Sequence, residues 1–261
     1  MTFLNDFDIK QVAPSVYTSK PSSEVSKFYT HIPTSQVIED MQTLGWGVVD
    51  AQQVKARKNQ GFQKHLVTFR NPDISIQGKG DDIVYPQILL TNSHDGKNSF
   101  TFTAGLFRLI CSNGLVVCET QFEKIRIRHI GYTFEELQTQ IHEMISKLPL
   151  TVESMNKMKQ TKLDQQAILD FANQAIQCRF SEKESSRIKI DLTTLINPVR
   201  SEDEGMDLWK VYNVVQEKLV GGNFYYISPN GKTRKARSIN NFQQNMVINE
   251  KLFELAHSYI R

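Results

Sequence analysis

His94 and Asp95 stand side by side in "NSHDGKNSF", and a histidine next to a carboxylate is a common seed of acid–base or metal chemistry. Chemistry would need more. A nucleophilic triad requires a serine or cysteine presented on a defined turn, and the chain contains no GxSxG. Walker A, GxGxxG and HExxH patterns are also absent from the sequence. The six histidines, His31, His65, His94, His129, His142 and His257, show no ligand spacing. The three cysteines, Cys111, Cys118 and Cys178, form no CxxC pair, which speaks against a zinc site or a disulfide framework. Asn, Ser, Asp and Gly are ordinary turn formers, so Asn92–Gly96 reads as a turn. A tertiary cluster of His94 with His65 or His129 stays open beside it. The expectation is no catalytic residue, no metal and no cofactor.

The cations carry the better signal. In "FEKIRIRHIG", Lys124, Arg126 and Arg128 alternate with Ile125, Ile127 and His129, and strand side chains alternate between faces. One face would pack, and the other would present cations about 6.6 Å apart, from roughly 3.3 Å per residue. That suits a chain of phosphates. It also suits an edge strand blunted by charge. In "QQVKARKNQGFQKHLVTFR", Gln53, Lys55 and Arg57 share a face, with Lys58 and Lys64 near the loop. Phe62 beside that loop is a candidate base-stacking platform, with a place at the margin of the core as the plainer reading. A third cluster, "GKTRKAR", puts Lys232, Arg234, Lys235 and Arg237 in a segment expected to be mobile. Phosphate contact needs little more than such clusters. A net charge of +3 alone demands no nucleic acid. The clustering points there, with acid gathered elsewhere, as in "RSEDEGMD".

These groups need elements to hold them. The 261 residues are 39% hydrophobic and 23% charged, which fits a soluble chain with ample core. No apolar run approaches the roughly 20 residues that span a bilayer. The N-terminus, "MTFLNDFDIKQVAP", lacks the cationic and apolar blocks of a signal peptide, so an intracellular protein is expected. Residues 1–33 read as an extended arm. Residues 34–131 read as an α+β region. Val37, Ile38, Met41 and Leu44 have helical spacing stopped by Gly45, and two β-rich runs flank "KNQG" as a hairpin. Gly105–Ser112 reads as a short helix ended by Asn113–Gly114 in a left-handed cap, with an Asn-Gly hairpin as the rival. Residues 132–261 read as a helical region packed on the sheet as one unit, with a loop or hairpin around Pro229–Asn230–Gly231. The fold class is α+β: an antiparallel sheet with a basic hairpin, packed by helices, then a mainly helical C-terminal half. Trp46 and Trp209 read as core or interface residues.

Several stretches carry a family likeness. "GFQKHLVTFR", "LTNSHDGKNSF", "GLFRLICSNGLVV" and "RIRHIG", followed by "DLWKVYNVVQEKLVGG", "TRKAR" and "VINEKLFELA", resemble in order the motifs of a phage- and plasmid-encoded family. That family carries a domain-of-unknown-function label. The likeness covers Thr34 to Tyr259 and brings no catalytic residues with it. It implies a mobile genetic element in the cytoplasm of a bacterial host. The order of helix, basic hairpin, strands and helix is similar in pattern to single-strand annealing proteins of the RecT, Erf and Rad type. That similarity implies single-stranded DNA as partner and self-association into a ring or filament, by analogy of fold.

The expectation for function is therefore single-stranded DNA binding or annealing in recombination or replication, without a membrane partner. A protein-interaction or host-defence-blocking role is the alternative, and an enzyme with an unrecognised His/Asp site is third. The alternation in "KIRIRH" supplies a test. Arg126→Ala should weaken DNA binding for all sequences alike and lower the salt slope by about one unit. Ile127→Ala should instead cost on the order of 2–5 kcal/mol of stability. Equal affinity and equal salt slope for Arg126→Ala and wild type would remove this strand from the site.

Overall fold

The computed structural model describes residues 2–56, 60–77, 83–108, 125–127 and 133–260. They divide into two compact units, residues 2–108, 125–127 and 133–148 in the first and residues 149–260 in the second.

The first unit starts with a helix where the sequence suggested an extended arm: α1 spans Asp6–Val12. Asn5 and Asp8 cap it reciprocally, each side chain accepting the other's backbone N–H. Burial of Ile9, Ala13 and Val16 holds the arm down. Helix α2 (Thr34–Thr43) buries Val37, Ile38 and Met41, as their spacing predicts. Strands β1 (Gly47–Gln53) and β2 (His65–Arg70) then pair antiparallel, with Ala51 opposite Val67. Next come β3 (Ile76–Gln77), β4 (Ile83–Asn92), β5 (Phe100–Arg108) and β6 (Ile125–Ile127). The strand order is β1-β2-β4-β5-β6, with β3 also on β4, and every pairing is antiparallel. His65 through Phe69 are all buried, which marks β2 as covered on both faces.

The helix expected from Gly105 is not formed over Gly105–Arg108, which continues β5. Leu106, Phe107 and Arg108 lie opposite Pro86, Tyr85 and Val84 of β4. A ladder already running from Thr101 is extended, and that tertiary pairing outweighs the helical spacing of Phe107, Ile110 and Cys111. Residues 109–124, including Asn113–Gly114, lie outside the described residues.

Helix α3 (Phe134–Gln160) buries Leu137, Ile141 and Met144 in the first unit and Met155 and Met158 in the second. The second unit is mainly helical: α4 (Gln165–Arg179), α5 (Glu182–Ser185), α6 (Leu192–Ile196), α7 (Leu208–Gly221) and α8 (Phe242–His257). Its core centres on α7. The Trp209 ring stacks on Tyr212 at 6.0 Å, and Tyr212 meets the edge of Phe253 at 6.0 Å. The Gln216 amide donates to Asn249 Oδ1 at 2.8 Å, a buried polar tie between α7 and α8. A small antiparallel sheet runs β7 (Lys189–Ile190), β8 (Tyr225–Ile227), β9 (Thr233–Lys235). "GKTRKAR" is thus built into a paired strand rather than a mobile segment.

Two glycines in this unit share a left-handed backbone but not surroundings. Gly222 ends α7 at φ 75°, and a Cβ there would lie 2.4 Å from the Arg237 carbonyl carbon. Gly231 sits at φ 76° in the hairpin turn, with nothing within 4 Å of a Cβ. Gly231→Ala should cost only the backbone strain of about 1–2 kcal/mol. Gly222→Ala should cost clearly more, because the chain behind it must move. Urea unfolding of the pair measures this, and equal losses would contradict the close approach.

Candidate nucleic-acid interface

The β8–β9 hairpin is closed by local chemistry. Pro229 follows Ser228, and the Gly231 N–H donates to the Ser228 carbonyl at 2.9 Å across the turn. The Ser228 N–H donates to the Lys232 carbonyl at 2.9 Å, and Ser228 Oγ–H donates to the same oxygen at 2.7 Å. Beyond the turn, Tyr225 lies opposite Lys235, Tyr226 opposite Arg234 and Ile227 opposite Thr233. On the other side of β8, Lys189 lies opposite Ile227 and Ile190 opposite Tyr226.

Directly paired residues share a face of the sheet. One face therefore carries Lys189, Tyr225, Ile227, Thr233 and Lys235, all exposed. Tyr225 is 56% and Ile227 43% exposed. The opposite face carries Ile190 and Tyr226, both half-buried, and the exposed Arg234 opposite Tyr226. The Tyr226 ring packs 5.9 Å from Phe180, which meets Phe224 edge-on at 6.4 Å. The inner face anchors the sheet, and the outer face is left to solvent.

Arg179, the last residue of α4, fixes the base of the hairpin. Its guanidinium lies over the Phe180 and Phe224 rings at 5.5 and 5.4 Å. It donates to the Leu219 carbonyl in the last turn of α7 and to the Arg237 carbonyl. Burial lowers its pKa from the ordinary arginine value. The Ala236 N–H donates to the Phe224 carbonyl and the Ile239 N–H to the Val220 carbonyl, each at 2.9 Å.

The sequence-identified cations fall in both units. Lys232, Arg234, Lys235 and Arg237 are all exposed around this hairpin. Among the described residues no carboxylate pairs with any of them. The contrast is an open cavity of about 900 Å³ in the same unit, lined in part by Lys157 and Lys162. Those lysines pair with Glu153 at 2.8 Å and Asp207 at 3.6 Å. In the first unit, Lys55 is exposed, while Phe62 and Lys64 are half-buried. The Gln53 side chain, expected to share the face of Lys55, accepts the Ser15 N–H at 2.9 Å and so belongs to the arm. Arg126 lies in β6 opposite Thr101, with Ile125 and Ile127 opposite Phe102 and Phe100. Arg57, Lys58, Lys124 and Arg128 lie outside the described residues. Sequence reasoning missed Tyr225, Ile227 and Lys189. The i, i+2 spacing of Tyr225 and Ile227 was visible, but their pairing with cations needs the register.

His31, His65 and His94 converge. His94 opens the β4–β5 turn, yet its side chain is fully buried. Its ring centroid lies 4.6 Å from His31 and 5.2 Å from His65, the first of which spacing did not suggest. His129 lies outside the described residues. The Asp95 carboxylate accepts Ser93 Oγ–H at 2.7 Å and the Lys97 N–H at 3.1 Å, a turn role. Among the described residues, no group of three His, Cys, Asp or Glu is placed to hold a metal ion.

His65 is held on both sides. Its Nδ1 lies 3.0 Å from the Gln63 carbonyl, which can only accept, so Nδ1 carries the proton. Nε2 then accepts from Thr34 Oγ1 at 2.8 Å, and Thr34 in turn accepts from Asn92 Nδ2 at 3.0 Å. Ser15 Oγ, from the arm, also lies 3.0 Å from Nδ1. Burial pushes the His65 pKa down to about 4, against a smaller opposing pull from the Gln63 carbonyl. The unfolded histidine titrates near 6.5. Between these values the unfolded chain takes up a proton that the folded chain refuses, so stability falls as pH drops. The whole window amounts to on the order of 3 kcal/mol. Urea unfolding at about pH 7.5 and about pH 5 should show a steeper loss for wild type than for His65→Gln. Equal losses would mean that His65 is not the proton acceptor.

Two curated proteins of Escherichia coli (strain K12) are similar to this chain. The UPF0380 protein YafZ is 28% identical over 255 residues, covering 97% of this chain and 90% of YafZ. The UPF0380 protein YfjQ is 27% identical over 255 residues, with the same coverage of 97% and 90%. No solved structure matches. The family model described as "Domain of unknown function (DUF932)" matches residues 21–253, and the chain belongs to that family.

Proposed function

We propose that the chain binds single-stranded DNA and acts in recombination or replication of a phage or plasmid, as a strand-annealing protein would. One observation carries this reading. From Asn223 to Asn240 the sequence holds four cations and no acid, and those cations stand exposed on a hairpin whose base is fixed. A cation cluster with no carboxylate at ion-pair distance among the described residues keeps its field for an external polyanion. On this reading the protein performs no chemistry on DNA, works in the cytoplasm of a bacterial host and self-associates along the strand. Lys55, Phe62, Lys64 and Arg126 of the first unit are further candidates for the same partner. Among the described residues no helix is long and apolar enough to cross a membrane.

A protein-interaction role is the second reading. Phe7 and Phe28 of the first unit favour it, being 69% and 74% exposed.

Salt dependence decides between them. Each phosphate contact to a single strand contributes about 0.7 to the slope of log K against log salt, so four contacts give a slope near −3. Fluorescence anisotropy with a labelled oligonucleotide over roughly 50 to 300 mM salt should show that slope. Arg234→Ala should lower it by about 0.7. Absence of binding to any oligonucleotide at low salt, together with stoichiometric co-purification of a host protein, would support the second reading instead.

A further inference from the structure

We infer that the outer face of the β7–β8–β9 sheet is a base-stacking platform, with Tyr225 and Ile227 under the bases and Lys189 and Lys235 on the flanking phosphates. The inference rests on the DNA-binding reading and specifies its ligand: an unpaired nucleotide strand, bound through bases as well as backbone.

Tyr225 and Ile227 are two residues apart on one strand, so their side chains rise from the same face about 6.6 Å apart. Each has a cation beside it on that face. Lys235 lies opposite Tyr225, and Lys189 lies opposite Ile227 from the other neighbouring strand. Side chains directly opposite on paired strands stand about 4.5–5.5 Å apart at Cβ. An apolar surface flanked by ammonium groups matches a nucleotide, whose flat base joins an anionic phosphate. A duplex hides the faces of its bases, so only an unpaired strand can use such a surface.

The face is presented rigidly. Tyr226 packs against Phe180 on the reverse side, and Arg179 pins the exit of the hairpin to α7. The charge selects among occupants. A protein partner would need only the apolar surface, whereas Lys189 and Lys235 on that face, with no carboxylate paired to either among the described residues, complement a polyphosphate chain. Stacking uses the π-face that every base has, so binding should tolerate any base.

The test separates bases from backbone. The probes are an oligothymidylate of about fifteen nucleotides, the matching oligouridylate, and an abasic strand of the same length. Wild type should bind oligothymidylate at least fivefold more tightly than the abasic strand, since one stacked base is worth about that factor or more. Tyr225→Ala should abolish this preference and leave the salt slope unchanged, and Tyr225→Phe should restore it. Lys235→Ala should do the reverse, lowering the slope by about 0.7 and keeping the preference. Since Tyr225 and Lys235 are exposed, thermal melts of both variants should match wild type. Oligouridylate bound as tightly as oligothymidylate would extend the ligand to RNA, and weaker binding would restrict it to DNA. If wild type bound abasic and thymidylate strands equally, or if Tyr225→Ala kept the preference, the platform would fall while DNA binding stood. If wild type bound none of the probes, the DNA-binding reading itself would fall.

Discussion

The half-buried guanidinium of Arg179 is the interaction on which the candidate surface depends. A cation taken out of water is costly unless oxygen atoms replace the water. Here the replacements are the Leu219 carbonyl, at the negative end of the α7 dipole, and the Arg237 carbonyl where the chain leaves the hairpin. One side chain thereby joins the ends of α4, α7 and the hairpin. Gly222 makes that meeting possible, because the returning backbone occupies the place of a Cβ. The hairpin is then free to hold its outer face in solvent without needing that face for its own stability.

The first unit solves a related problem with neutral groups. The ends of β2 and β4 carry His65, Asn92, Ser93 and His94, all buried. The arm supplies partners there: Ser15 to His65, the Ser22 N–H to the His94 carbonyl at 2.9 Å, and Tyr29 Oη–H to the Ser93 carbonyl at 3.2 Å. The Gln63 carbonyl and the Thr34 hydroxyl satisfy the ring of His65 in its neutral form, so the clasp is built for a histidine without a proton to spare. Those hydrogen bonds account for the burial of the His65 ring.

Elements fixed by their own periodicity were legible in the sequence. α2, α7 and α8 follow their apolar spacing, and Trp209, Tyr212, Val215, Gln216 and Leu219 are all buried on α7. The β1–β2 pairing was legible for the same reason. What failed needed a partner to be seen. Gly105–Arg108 looks helical alone and becomes strand because β4 offers a ladder. α1 is too short to show a period, and its one cue was the reciprocal pair Asn5 and Asp8. The three histidines come from separate elements, so no spacing could bring them together. At the hairpin the cations were legible as composition. That Lys189 would share a face with Tyr225 was not, because it depends on which residues of β7, β8 and β9 stand opposite one another.

Hydrogen–deuterium exchange with and without oligothymidylate tests the central claim most directly, because it reads the surface in the unaltered chain. The account predicts that bound oligonucleotide slows exchange across Asn223–Asn240 and at Lys189–Ile190, while the buried interior of α7 exchanges as before. Slowed exchange elsewhere, with the hairpin unchanged at saturating oligonucleotide, would contradict it.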